Sequence, residues 1–271
     1  MKSILLHIHD DDAANSRLQA ACDLARACDA HVQCVQVTPM PDLVAADVYG
    51  GAAYAPTIAA ELHEIDERFR ASVQALLVRE DIAWDWRQME GDAVSGLLTA
   101  ARLADVIVAT LPEPGRNGAG DPLRIVADLT LGGRTPVLAV PQAAKGIAVT
   151  GHALVAWDGS PEASAALRAA VPLLRLADAV DILTIEEAEK AKFPATAAPE
   201  YLARHGIKAD VHSWPRKGRA VEDALQDAIV DRCASWVVMG AFGHSRWREL
   251  MFGGVTRAML RDARIPLLLA H

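Results

Sequence analysis

The sequence predicts an α/β protein made of two repeated, doubly wound domains, each with a parallel sheet covered on both sides. Residues 152–158 (HALVAWD) resemble residues 4–10 (ILLHIHD), and residues 234–240 (ASWVVMG) resemble residues 104–110 (ADVIVAT). Short runs that are apolar on both faces alternate with amphipathic stretches, which is the pattern of parallel strands alternating with helices. A repeat of this length indicates two copies of one domain.

The repeat also predicts the domain boundaries. Residues 265–270 match residues 135–140 at an offset of 130, whereas the opening strands lie 148 positions apart. We attribute the difference to an insertion in the first copy, near its Gly-, Ala- and Pro-rich stretch. The segment 141–151 lacks apolar periodicity and is predicted to be a linker, so the domains are expected at 1–143 and 149–271.

The elements of the second copy follow the same alternation. We expect strands at 153–157, 179–185, 208–213, 235–240 and 265–270, with helices at 161–176, 197–205, 219–232 and 254–262. Ser160 can cap the first of these helices, and Pro161 suits its first turn. Pro172 lies inside the same helix and is expected to bend or split it. In the first copy, apolar residues at steps of three and four predict a long helix over 57–79 with one buried face.

Composition excludes several classes of protein. The chain has 271 residues, of which 52% are hydrophobic and 23% charged, so it can form packed cores and differs from disordered sequences. No apolar run approaches the roughly 18 residues of a membrane helix, and histidines and aspartates interrupt the opening apolar stretch, unlike a signal peptide. The four cysteines lack metal-binding spacing and are expected to be reduced thiols. We therefore expect a cytoplasmic protein.

Charge is distributed unevenly between the two copies. Residues 1–143 hold 20 acidic and 11 basic residues, a net charge of −9, whereas residues 144–271 hold 15 acidic and 16 basic residues, a net charge of +1. Neither copy has the dense Lys/Arg stripe that nucleic-acid binding requires. The second copy is therefore the better candidate for binding an anion.

Paired glycines in the second copy, within MGAFGHSRWRELMFGGVT, indicate such a site. Gly240 and Gly243 follow a buried strand, where glycine can adopt φ > 0 and bring N–H groups close to an anion. Gly253 and Gly254 precede a predicted helix whose free N–H groups and dipole favour phosphate. Thr256 can add a hydroxyl. In doubly wound sheets, ligands bind beyond the carboxyl ends of the strands.

This arrangement resembles the nucleotide motif of the universal stress protein family, a strand followed by G-x2-G-x9-G, a small residue and a helix. The opening VAWDGS, with Asp158 and Gly159 after the first strand, also resembles that family. The similarity spans both copies. It implies a tandem protein with two adenine nucleotide alpha hydrolase-like, Rossmann-like domains that form a pseudo-dimer.

The resemblance further implies an ATP site in the second copy, with or without Mg²⁺. The implied contacts are Asp158 beside the ribose or a metal ion, Ala156 and Ile185 at the adenine, Met239 and Gly240 beneath the ribose, and Gly243, Gly253, Gly254, Val255 and Thr256 around the phosphates. Family members often have Ser at the position of Gly254. The glycine removes one hydroxyl contact and keeps the backbone donor.

The first copy lacks the motif. Pro112, Glu113 and Pro114 stand where the first glycine pair is expected, and proline has no N–H while glutamate repels phosphate. We expect this copy to bind no nucleotide and to pair with the second. The final strands, 135–140 and 265–270, are expected to pair, as they do between single-domain family members. A homodimer through another surface stays open.

The preferred function is an ATP-binding regulatory module of a cytoplasmic stress response, with little or no catalysis. A slow ATP-hydrolysing enzyme is the main alternative, although the P-loop signature is absent. A serine esterase would use Ser245, but Trp247 replaces the second glycine of the nucleophile elbow. His7 and His9 form an H-x-H pair of the kind that binds zinc, and a strand with two tolerated histidines is preferred. No catalytic or metal-binding residue is assigned.

Overall fold

A computed structural model describes residues 1–39, 55–111, 122–185, 196–243 and 254–271, with the side chains of 55–59 and 122–123 excluded. Within these residues, ten strands form one sheet. They are β1 (Ser3–His7), β2 (His31–Thr38), β3 (Ala83–Glu90), β4 (Val106–Leu111), β5 (Val137–Pro141), β6 (Ala153–Ala156), β7 (Val180–Ile185), β8 (Asp210–Trp214), β9 (Trp236–Gly240) and β10 (Leu267–Ala270).

Helices cover both faces of this sheet. They are α1 (Ala14–Cys28), α2 (Ala55–Leu77), α3 (Ala93–Ala100), α4 (Pro122–Gly132), α5 (Pro161–Leu174), α6 (Ala197–Arg204), α7 (Val221–Asp231) and α8 (Gly254–Asp262). One apolar core joins α1, α2, α5 and α6 to the sheet, and a second core joins α3, α4, α7 and α8 to its other face. None of the described helices is long and apolar enough to cross a membrane.

The strand order shows two copies of one topology. The sheet runs β3-β2-β1-β4-β5-β10-β9-β6-β7-β8, and the strands within each half, β1–β5 and β6–β10, are parallel. Each half therefore has a doubly wound sheet whose order reverses beside its first strand. The predicted fold class is confirmed.

The two halves join through their last strands, as predicted. β5 and β10 pair in antiparallel orientation, with Leu268 opposite Leu138 and Leu267 opposite Ala139. All four of these side chains are fully buried. The junction is thus part of the core, and each half covers the other's apolar edge strand.

Two predictions about helices need correction. Of the two outcomes expected at Pro172, splitting does not occur: α5 continues to Leu174, and the proline, two residues from its end, removes only one N–H donor. The long helix is present as α2, but its buried face is narrower than predicted. Leu77 is fully buried, whereas Ile65 and Leu76 are 43% and 42% exposed.

The cysteines are unpaired, and their environments differ. Cys22 and Cys34 are buried, and burial raises the pKa of their thiols to about 11 and about 12. Cys233, by contrast, is exposed. The two buried thiols therefore stay protonated and behave as small apolar side chains.

The end of β9 is held directly against the first turn of α5. A Cβ placed on Gly240 would lie 2.4 Å from the backbone nitrogen of Ala163 and 2.6 Å from the carbonyl carbon of Glu162. Both atoms belong to the helix backbone, so a side chain could be accommodated only by moving the helix. Glycine at this position therefore allows the start of α5 to contact the end of β9.

We predict that Gly240→Ala lowers the free energy of unfolding by about 1–3 kcal/mol, the usual cost of overpacking. Chemical denaturation of the full chain measures the change. Gly254→Ala is the matched control, because none of the described residues lies within 4 Å of a Cβ at Gly254. It should leave stability unchanged or raise it slightly. Equal stabilities for Gly240→Ala and wild type would refute the close contact.

We also predict that residues 149–271 expressed alone will dimerise or aggregate. Without the first half, β10 becomes an apolar edge strand with unpaired N–H and C=O groups, a template for pairing with another chain. Light scattering on the purified fragment measures the outcome. A stable monomer would show that β10 does not need β5 as its partner.

Candidate functional site

The candidate site lies at the carboxyl edge of the second half, the edge at which its parallel strands end. There the strand order reverses between β6 and β9, the position where doubly wound sheets bind ligands. Ala156 ends β6 opposite Met239, and Ile185 ends β7 next to β6. Met239 is buried, while Ala156 and Ile185 are partly buried in the same apolar core. These three residues, all predicted at the adenine and ribose, lie on neighbouring strands.

Asp158 begins the turn from β6 into α5. Its side chain is exposed, and its Oδ1 accepts the backbone N–H of Ser160 at 2.9 Å. Gly159 between them has φ 75°, a left-handed conformation that favours glycine. Ser160 Oγ accepts the N–H of Ala163 at 3.0 Å and so caps α5 as predicted. The turn therefore holds the Asp158 carboxylate at the sheet edge.

The loop after β9 differs from its predicted conformation. Its left-handed residue is Phe242, with φ 59°, whereas neither Gly240 nor Gly243 has positive φ. Both positions instead lack space for a side chain, because a Cβ on either glycine would contact the first turn of α5. The prediction of φ > 0 at Gly240 and Gly243 was wrong.

Glu162 is a site residue that sequence reasoning missed. A Cβ on Gly243 would lie 2.8 Å from Glu162 Oε2, so this carboxylate lies directly over the glycine expected to approach a phosphate. Its position in the sequence, immediately after the Ser160-Pro161 cap, looks like an ordinary acidic first turn of a helix. Only the contact between α5 and the β9 loop brings its negative charge into the site.

A hydrogen bond joins the two ends of the glycine motif. The N–H of Phe242 donates to Thr256 Oγ1 at 3.2 Å, and Thr256 is only 6% exposed. Val255 packs against the same core, while Gly254 is exposed at the start of α8 with open space around it. The β9 loop and the amino end of α8 are therefore tied together. Gly253, together with Ser245 and Trp247 of the esterase alternative, lies outside the described residues.

Strand registers identify the corresponding edge of the first half. Leu5 pairs with Ile107 in β4, and Leu154 pairs with Val237 in β9. Leu5 therefore corresponds to Leu154, which differs by one residue from the alignment of the two opening strands predicted from the sequence. His9 rather than Asp10 corresponds to Asp158.

By the same registers, His7 corresponds to Ala156 and Thr110 to Gly240. At all three positions the first half therefore has a larger side chain than the second half, with His9 in place of Asp158. The first-half edge is built from a histidine pair and a threonine, where the second half has alanine, aspartate and glycine.

The side chain of Arg17 occupies this first-half edge. It is completely buried, and its Nη1 donates to Asp11 Oδ2 at 2.8 Å and to Thr110 Oγ1 at 2.5 Å. Its Nη2 donates to the carbonyl oxygen of His9 at 3.0 Å. At the equivalent position of the second half, the first turn of α5 packs directly on Gly240. A guanidinium of the chain itself thus lies buried at the carboxyl edge of the first half.

The surrounding groups support this arrangement electrostatically. Burial lowers the pKa of His7 well below its ordinary value, and the charges of His9 and Arg17 act in the same direction. Burial alone would raise the pKa of Asp11, but hydrogen bonds from His9 and Arg17 hold that pKa well below its usual range. A neutral His7 therefore lies beside an ionised Asp11–Arg17 pair. No group of three or more potential metal ligands occurs among the residues that the structure describes.

Comparison with known proteins agrees with this geometry. Residues 150–271 match the model of the universal stress protein family. No curated protein sequence matches the chain significantly.

Solved structures match over nearly the whole chain. A universal stress protein from Archaeoglobus fulgidus DSM 4304 superposes with a TM-score of 0.77 at 16% identity, covering 99% of this chain and 97% of its own. A functionally unknown protein from Pseudomonas aeruginosa PAO1 gives a TM-score of 0.59 at 16% identity, covering 99% and 92%. The first half shares the strand order of the matched second half. The second half, residues 150–271, thus matches the universal stress protein family, and the first half repeats its fold.

Proposed function

We propose that the second half binds an adenine nucleotide, ATP, and that the protein is a regulatory module of a stress response with little or no catalysis. The observation that carries this proposal is the Phe242–Thr256 hydrogen bond, because it holds the β9 loop against the amino end of α8. Both segments carry the glycines of the nucleotide motif. They meet where the strand order reverses.

An apolar surface at the strand ends suits a purine ring. Ala156, Met239 and Ile185 belong to one core, and the first two are direct neighbours across strands β6 and β9. A flat aromatic ring buries apolar area there without leaving unpaired polar groups beneath it. Asp158 lies at the rim, where its carboxylate can accept hydrogen bonds from ribose hydroxyls.

The phosphates are best accommodated at the start of α8. Among the residues that the structure describes, Gly254 has no neighbour within 4 Å of its missing side chain, which leaves its backbone open to a ligand. The amino end of a helix offers unpaired N–H groups and a favourable dipole. The hydroxyl that serine would supply is absent at Gly254, so backbone donors bear most of the binding. Gly253 is proposed to take part, although it lies outside the described residues.

Two carboxylates near the phosphate path favour the Mg²⁺ complex of ATP. Glu162 covers Gly243, and Asp158 lies in the turn that precedes the same helix. Magnesium typically binds through one or two carboxylates together with substrate phosphates and water. Without the cation, the charge of Glu162 opposes a polyphosphate.

The first half is proposed to bind no nucleotide. Arg17 lies buried at the first-half edge that corresponds to the edge of the second-half site, and Thr110 replaces Gly240 there. Opening that position would expose a buried guanidinium and separate it from Asp11. Its role in this proposal is to cover the apolar edge of β10.

Calorimetric titration of the full chain with ATP, ADP and AMP, with and without Mg²⁺, tests the proposal. We expect saturable ATP binding at about one molecule per chain, because only the second half carries the motif. Two sites per chain would contradict the blocked first half, and no binding would contradict the nucleotide site. Rapid phosphate release from ATP would favour the hydrolytic enzyme instead.

We predict that Gly243→Val abolishes ATP binding while the protein stays folded. The new side chain would meet the Glu162 carboxylate and displace it into the space needed by phosphates. Calorimetry measures binding, and circular dichroism confirms the fold. Binding equal to that of wild type would place the phosphates elsewhere.

Thr256→Val and Thr256→Ser form a matched pair. Valine keeps the shape but removes the oxygen that accepts the Phe242 N–H, whereas serine keeps that oxygen. The net contribution of a hydrogen bond of this kind is about 0.5–1.5 kcal/mol. We predict that the valine variant binds ATP about tenfold more weakly and that the serine variant stays within about twofold of wild type. Equal affinities in the pair would show that the hydrogen bond does not organise the site.

Glu162→Gln tests the electrostatic role of the missed residue. Removing a negative charge about 4 Å from a phosphate in water is worth about 1 kcal/mol, or about fivefold in affinity. We predict tighter ATP binding by about that factor without Mg²⁺ and a smaller or reversed effect with Mg²⁺. Glu200→Gln, in the first turn of α6, is the control and should leave both affinities unchanged. Identical binding by wild type and Glu162→Gln in both conditions would remove this carboxylate from the site.

A further inference from the structure

A buried ionic cluster lies in the second half, away from the nucleotide edge. Asp181 near the start of β7 is 2% exposed, and Arg232 Nε donates to its Oδ2 at 2.6 Å. His152 and His212 place Nε2 atoms 3.0 and 3.2 Å from the same carboxylate. The carboxylate thus neutralises the guanidinium within the chain.

The registers give the equivalent positions in the first half. Leu154 pairs with Asp181 in β7, and Leu5 pairs with Gln33 in β2, so Gln33 stands where the second half has its carboxylate. Arg102 precedes β4 by four residues, as Arg232 precedes β9. The arginine is retained, but its acidic partner has become an uncharged amide.

A second arginine joins the first at this place. Arg87 in β3 pairs with Val35, and His212 in β8 pairs with Leu183, the residue equivalent to Val35. Arg87 therefore corresponds to His212. Arg87 and Arg102 line one open groove of about 390 Å³ together with Gln33 and Ser3. Neither arginine forms an ion pair or hydrogen bond with any residue that the structure describes. The groove therefore gathers two uncompensated positive charges.

We propose that this groove binds the phosphate group of a small phosphomonoester. Guanidinium groups present planar forks of N–H donors that bind phosphate oxygens in pairs, and a dianionic phosphate compensates both charges. The amide of Gln33 and the hydroxyl of Ser3 add uncharged hydrogen-bonding groups at the wall. Leu5, Ala100 and Leu103 provide apolar surface for the body of the ligand. The ligand would take the place that Asp181 fills in the other half.

Two carboxylates near the groove keep their negative charge, but each is bound to other groups and does not pair with the arginines. Asp85 is held by His31 at 2.5 Å and by the amide of Gln33 at 3.4 Å. Asp105 accepts the backbone N–H groups of Lys2 and Ser3 at 2.5 and 3.0 Å. The remaining charge of the acidic first half is screened beyond about 8 Å at physiological salt.

Titration of the ¹⁵N-labelled full chain with inorganic phosphate, at ionic strength held constant with chloride, tests the proposal. Amide resonances of Gln33, Arg87 and Arg102 should shift together and saturate, with a Kd on the order of 1 mM for this minimal probe. Glycerol 3-phosphate should bind at least as tightly, because its carbon body meets the apolar wall. Shifts confined to the β9 loop and α8 would assign phosphate to the nucleotide site alone and overturn the proposal.

The decisive variant is Gln33→Asp, which installs the carboxylate of the second half. It should pair with Arg102 and weaken phosphate binding at the groove at least tenfold. Arg102→Ala, on the surface, should do the same without placing a charge beside β2. Arg168→Ala, at an exposed position on α5, is the control and should leave the groove titration unchanged. Wild-type phosphate binding in both Gln33→Asp and Arg102→Ala would refute the site.

Discussion

The antiparallel pairing of β5 with β10 is the interaction on which the rest of the molecule depends. Both strands are short and apolar, and Leu138 and Leu268 face each other with no exposure to solvent. Each would be an edge strand in an isolated domain, with a row of unsatisfied backbone groups. Pairing satisfies those groups and makes the apolar layers on both faces continuous across the two halves. The first half therefore contributes to the core beneath the candidate site without contributing to the site itself.

Much of this architecture could be predicted from the sequence, because it follows from local patterns. Strand and helix positions in the second half depend on apolar periodicity and on the Ser160-Pro161 cap, and both are legible in sequence. The strand ends that carry Ala156 and Met239 follow from the same reasoning. The pairing of the last strands follows from their apolar character.

The details that decide the chemistry depend on contacts between distant segments. The sequence suggested that Gly240 and Gly243 adopt positive φ angles. In the structure they do not, and a side chain at either position would instead collide with the first turn of α5. Glu162 is about 80 positions from Gly243 in the chain, and no periodicity connects them. Arg17 likewise resembles a residue on an exposed helix face until the fold brings it to Thr110. Side-chain contacts of this kind form when helices and strands that are distant in the sequence pack together, so the sequence of either one alone does not reveal them.

Because β5 and β10 run in opposite directions, the two halves present opposite ends of their strands on each side of the molecule. The carboxyl ends of β6 and β9 therefore point the same way as the amino ends of β1 and β2. The groove of Arg87 and Arg102 and the nucleotide edge also share one face of the sheet, that of α3 and α7. Four strand spacings separate β1 from β9, or about 19 Å. A single macromolecule that approached this side would therefore contact both places at once.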